Sequence, residues 1–142
     1  DGAAAVLMMS AAKAEELGLK PKVKIIAQAS AAQEPEWFTT APVKAIKTVL
    51  DKAGLDSAAI DLWEINEAFA PVAKAAIDDF NLNESIVNVN GGAIALGHPI
   101  GASGARILTT LIYAMENKKA KTGLATLCIG GGEASALIVE KV

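Results

Sequence analysis

A single cysteine, a single histidine and six aromatic residues are what this 142-residue chain offers of the residue types that often carry reactions or fill bulky cores. The lone Cys128 excludes an internal disulfide and fits a reducing compartment. With aromatics at 4%, the core must be built from Ala, Ile, Leu and Val. The net charge of −3, with no basic stripe and no aromatic ladder, argues against a nucleic-acid partner. No stretch is long and uncharged enough to cross a bilayer, so no membrane span is expected. Signal-peptide patterns, repeats and low-complexity tracts are equally absent from the sequence. A cytoplasmic setting is the default expectation.

What is present is apolar. Hydrophobic residues make up 52% of the chain, and the mean hydropathy is +0.35. The length suits one domain with a real core, so this excess suggests surface that another protein surface covers. The chain opens with Asp1 and runs almost at once into the apolar residues 3–9. That start reads as a cut through a larger protein, because a natural N-terminus rarely opens inside a strand.

Residues 3–9 read as a short apolar strand and 11–17 as a helix stopped by Gly18. After Pro21, residues 23–30 form a β-branched strand pattern, and a Pro-bounded loop over 33–42 carries Trp37 and Phe38. A helix over 42–53 has Pro42 in its first turn and Gly54 at its end. Strands follow at 60–65, 86–89, 124–129 and 135–139, with helices at 67–80 and 101–117. Alternating strands and helices predict an α/β sandwich with a mixed sheet, in the order β-α-β-α-β-α-β-β after one extra strand-helix unit. The 101–117 helix is small or apolar on nearly every side, which predicts burial on all sides and a cover from outside this domain.

Three segments hold polar residues where strands end, the usual place for sites in α/β proteins. The first is Asn66-Glu67-Ala68-Phe69-Ala70. Asn66 suits a helix N-cap there, and its amide could equally orient a water or a carbonyl oxygen. Glu67 reads as a helix-start carboxylate rather than a catalyst. The second segment is the glycine-rich run from Gly91 to Gly104, with His98 between Gly97 and Pro99. Its glycines match neither the dinucleotide nor the Walker spacing, and the helix that follows favours a neutral imidazole or a nearby anion. The third is Cys128-Ile129-Gly130-Gly131-Gly132. A lone cysteine is usually a small buried hydrophobe, but three glycines after it leave amides free to face a developing oxyanion.

In order and spacing, Asn-Glu-Ala-Phe-Ala, Gly-His-Pro and Cys-x-Gly-Gly-Gly resemble the C-terminal half of thiolases, and the resemblance spans the whole chain. Ketoacyl synthases share that fold but place His or Asn where this chain has Cys128, and they lack the Asn-Glu-Ala-Phe pattern. The resemblance implies a thiolase-like α/β fold, one half of a five-layered sandwich. Residues 1–19 would be the last strand and helix of the N-terminal half, and 20–142 the C-terminal domain. The 101–117 helix would meet its counterpart from the other half, or self-association would cover the face that begins at Gly101.

The implied reaction is Claisen condensation of two acetyl-CoA molecules, or thiolysis of a 3-ketoacyl-CoA. It uses coenzyme A thioesters as substrates and needs no metal or other cofactor. The nucleophilic cysteine would lie in the N-terminal half, so this chain alone would be inactive. His98 would take the nucleophile's proton and, with a water held by Asn66, bind the thioester oxygen. Cys128 would remove the α-proton, which calls for a local electropositive setting, and the Gly130 N–H would serve the second oxyanion hole. Phe38, Ala68 and Phe69 would line the acyl and pantetheine path, or pack against loop and helix. Phe38 stands where short-chain members often have Met, and Glu133 departs from the small or amide residue expected after the glycines. The alternative is a non-catalytic dimerisation or scaffold module of the same fold.

Overall fold

The computed structural model describes residues 2–142. Four strands form one mixed sheet: β1 (Val23–Ala32), β2 (Leu62–Ile65), β3 (Thr122–Ile129) and β4 (Glu133–Lys141), in the order β1-β4-β3-β2. β2 runs parallel to β3, whereas β4 is antiparallel to both of its neighbours. The helices are α1 (Ala11–Glu16), α2 (Ala41–Ala53), α3 (Ala70–Asp79), the single turn α4 (Ala93–Leu96) and α5 (Ser103–Lys118).

Side chains alternate across the pleat, so each strand serves two cores. On one face Trp63, Ile65, Leu124, Cys128 and Ile138 meet Ile46, Val49 and Leu50 of α2 and Val72 and Ala76 of α3. On the other, Leu62, Ala125 and Val139 meet Ile107, Leu111 and Met115 of α5. The result is the expected α/β layering, with the sheet sandwiched by helices. Close approach fixes α5 on its side. A Cβ at Gly123 of β3 would lie 2.6 Å from Met115 Sδ and 2.9 Å from Leu111 Cδ1.

The structure corrects several sequence expectations. Residues 3–9 form no strand and pair with none of the four strands; Leu7 and Met8 stay exposed. They line an apolar groove of about 400 Å³ shared with Leu108, Ile112 and Tyr113 of α5. The expected 86–89 strand shrinks to one parallel bridge, Trp63 with Val87, because Asn88 turns into the left-handed region at φ 46°. The loop over 33–42 contains a 3-10 helix, Pro35–Thr40.

Asn66 does not cap α3: the helix starts at Ala70, with Pro71 in its first turn and Phe69 at the N-cap position. Proline costs nothing there, since that N–H has no intrahelical partner. Finally, α5 is buried on its sheet face only, leaving Gly104 and Tyr113 exposed.

Gly123→Val should destabilise the chain by about 1–3 kcal/mol through overpacking against α5. Urea denaturation read by circular dichroism checks this, and an unchanged midpoint would contradict the tight β3–α5 contact.

Candidate active site

Parallel pairing carries β2 and β3 to the same edge of the sheet. The ladder runs from Leu62 opposite Gly123 to Ile65 opposite Thr126, and Asn66 N donates to Thr126 O at 2.9 Å. Asn66 therefore leaves β2 beside the stretch of β3 that reaches Cys128 two residues later. Both side chains are sealed from solvent, Asn66 at 1% and Cys128 at 7% exposure.

His98 reaches Asn66 from the glycine-rich loop: Asn66 Nδ2 lies 3.4 Å from His98 Nε2. On its other side Nδ1 lies 2.6 Å from Oγ of the fully buried Ser103, the first residue of α5. Ser103 Oγ donates to Pro99 O at 3.2 Å, so it accepts from Nδ1–H. That chain of donors fixes one tautomer, with the proton on Nδ1 and a lone pair on Nε2 that accepts from the Asn66 amide. Asn66 Oδ1 is buried without a partner. Sequence reading passed over Ser103, although its place five residues after the histidine, at a helix start, was the available signal.

Gly130 heads the β3–β4 turn and is exposed, with open space where a Cβ would project. The turn is held from behind. Gln33 N donates to Gly132 O at 3.0 Å, and a Cβ at Gly132 would sit 2.3 Å from Gln33 O, at a φ of +97°. The Gln33 side chain donates to Trp37 O and to Thr40 Oγ1, tying the 3-10 helix that carries Phe38 to the same turn. Phe38 meets Phe69 edge to face at 5.9 Å between centroids. Phe38 and Ala68 also pack against the core cluster that contains Cys128. Of the expected residues, the structure brings Asn66 to His98 and Phe38 to Phe69, while Cys128 sits in the core cluster against which Phe38 and Ala68 pack.

Electrostatics departs from expectation at Cys128. Burial pushes its thiol above the ordinary value, opposed only by its own backbone amide, so the described residues do not supply the electropositive setting. A group that sequence reading missed is Glu64, on the α5 side of β2. It is 1% exposed, and its Oε1 has no partner. Burial raises its pKa to about 7; Arg106, 3.8 Å away, opposes the rise and Glu67 adds to it. One oxygen at that distance from a guanidinium recovers less than desolvation costs. Among the described residues, no three His, Cys, Asp or Glu side chains are grouped to hold a metal ion, and no helix is long and apolar enough to cross a membrane.

A raised carboxyl pKa favours the protonated form in the fold. The contribution of Glu64 is thus complete below about pH 4.5 and lost as pH rises toward 7. Glu64→Gln should therefore gain stability over the parent chain as pH rises from 4.5 to 7, by about 1.4 kcal/mol for each pH unit crossed. Urea midpoints at both pH values test this, and a difference that stays constant with pH would refute it.

The chain is similar to known proteins in sequence and in fold. The family model described as thiolase, C-terminal domain, matches residues 19–141. An acetyl-CoA acetyltransferase from Allochromatium vinosum is 55% identical over 142 residues, covering 100% of this chain and 36% of that protein. A 3-ketoacyl-CoA thiolase from Klebsiella pneumoniae is 52% identical over 145 residues, covering 100% of this chain and 38% of that protein. The crystal structure of Acat5 thiolase from Ascaris suum in complex with coenzyme A superposes with a TM-score of 0.89 at 49% identity, covering 94% of this chain and 34% of that one. The chain spans little more than a third of the length of the curated relatives it matches. Matched by that family model over residues 19–141, the chain belongs to the thiolase family and corresponds to the thiolase C-terminal domain.

Proposed function

We propose that this chain supplies the acid/base and oxyanion groups of an acetyl-CoA C-acetyltransferase, acting on coenzyme A thioesters. The observation that carries the reading is the Asn66–His98–Ser103 relay, which leaves the His98 Nε2 lone pair facing the Asn66 amide. Nε2 takes the proton of a cysteine thiol contributed from outside this chain, since Cys128 is its only cysteine. That thiolate attacks a thioester carbonyl, and coenzyme A leaves as the thiol by taking the proton of Cys128, which becomes the thiolate. Protonated Nε2, with a water held by Asn66 Oδ1, then donates to the thioester oxygen of a second acetyl-CoA.

Cys128, as thiolate, removes the α-proton of that second molecule. The carbanion attacks the acyl group on the nucleophile, the Gly130 N–H donates to the oxyanion that forms, and the nucleophile leaves as thiolate and recovers its proton from Nε2. Thiolysis runs the same steps backward, with the Cys128 thiol returning the proton. Burial suits Cys128 to this exchange, because a thiol of raised pKa gives a more basic thiolate once formed.

Phe38, Ala68 and Phe69 line the acyl and pantetheine side. The coenzyme A complex of the Ascaris suum relative supports thioester binding, and relatives named for both acetyl-CoA and 3-ketoacyl-CoA leave chain length to the Phe38–Phe69 pair. Residues 1–19 pack as part of the N-terminal thiolase half and 20–142 form the C-terminal domain. The family match from residue 19 and the lack of ladder partners for residues 3–9 support that division. The face beginning at Gly101 receives the complementary half.

The test is acetoacetyl-CoA thiolysis by the chain alone and after mixing with the N-terminal half of the Allochromatium vinosum relative. Activity is expected only in the mixture, falling about a hundredfold or more with His98→Ala or Cys128→Ala. A folded complex without activity, or activity indifferent to both substitutions, would instead favour a non-catalytic scaffold of thiolase fold.

A further inference from the structure

Glu67 follows Asn66 directly, yet neither caps α3. Its carboxylate reaches across to the loop that delivers His98. Oε1 accepts from Asn88 Nδ2 at 2.8 Å, and Oε2 accepts from the backbone N–H of Ile94 at 3.2 Å, in the first turn of α4. Asn88 is itself locked onto β2: Ile65 N donates to its Oδ1 at 2.8 Å, and its Nδ2 donates to Ile65 O at 2.9 Å. Between these two anchors the loop presses onto the carboxylate. Gly92 is buried, and a Cβ there would lie 2.0 Å from Glu67 Cδ.

We propose that Glu67 is a positioning residue that sets the separation of Asn66 and His98, by clamping the Asn88–Ile94 stretch of the His98 loop to the residue next to Asn66. The geometry requires a group with two acceptor oxygens, because both partners are N–H donors. Glutamine offers one acceptor and turns an NH2 toward the other donor, while aspartate is one methylene too short to reach both. Glu67 thus acts through hydrogen-bond count rather than through proton transfer. Its output is the 3.4 Å contact between Asn66 Nδ2 and His98 Nε2. The His98 tautomer in turn relies on that contact on one side and on Ser103 on the other.

His98 is the only histidine, so its imidazole gives one set of ring-nitrogen signals when this chain alone carries 15N. Long-range proton–nitrogen correlation is recorded on the labelled chain, alone and mixed with the unlabelled N-terminal half. The parent should show the Nδ1–H tautomer. Glu67→Gln should mix in the Nε2–H form and, because the kinetic arm rests on the thiolase reading, lower kcat for thiolysis about tenfold to a hundredfold with KM changed less than about threefold.

Gly92→Ala keeps the carboxylate but pushes it aside, and should shift the tautomer in the same direction; it decides the matter if Glu67→Gln does not fold. Parent-like ring-nitrogen signals in a folded Glu67→Gln or Gly92→Ala chain would overturn the proposal. So would a KM effect without a tautomer change, since Glu67 would then touch substrate. An inactive parent mixture counts against the thiolase reading alone, and the nitrogen signals still decide the role of Glu67.

Discussion

The parallel ladder between β2 and β3 is the constraint on which the rest depends. A parallel pair requires a long crossover, and here the crossover carries α3, the glycine-rich loop and α5. Because both strands point the same way, they deliver Asn66 and the Cys128-Gly130 end to one edge of the sheet. The crossover then returns His98 to that edge from the N-terminal end of α5. An antiparallel pairing would have sent these residues to opposite ends of the sheet. The contact of Gly123 with Leu111 and Met115 makes the arrangement rigid from the α5 side.

Much of this was legible in the sequence because its signals are local. Strand β1, helix α2 with Pro42 and Gly54, and the last two strands declare themselves by periodicity and punctuation. The Asn66 and Cys128 segments lie at strand ends, whereas the glycine-rich segment follows a single bridge residue, Val87. What failed was reading each polar residue against its own element. Asn66 and Glu67 look like a helix start, but Pro71 delays α3 and frees both side chains to bond residues 21–32 positions away. The 86–89 segment has strand-like residues, but Asn88 commits its backbone to a left-handed turn and lets its side-chain amide pair with Ile65 instead.

Residues 3–9 and the outer face of α5 show the other limit. Apolar composition announces that a surface will be covered and not by what. The sequence supports a strand at 3–9, but a strand exists only in a ladder with a neighbour, and residues 3–9 pair with none of the four strands of the sheet. Burial at Glu64 was equally invisible: a charged residue between Trp63 and Ile65 reads as the exposed half of an alternating strand. Here α5 covers that face and seals the carboxyl beside Arg106.

Gln33 couples two regions that the chain keeps about a hundred residues apart. Its backbone N–H holds the Gly132 carbonyl, and its side chain holds Trp37 and Thr40. The aromatic wall made by Phe38 and the hairpin that presents Gly130 are therefore two ends of one short lever. A change that tilts the 3-10 helix is transmitted to the turn through a single residue. The placement of the Phe38 ring and the orientation of the glycine turn cannot drift independently, so variation at one is mechanically answered at the other.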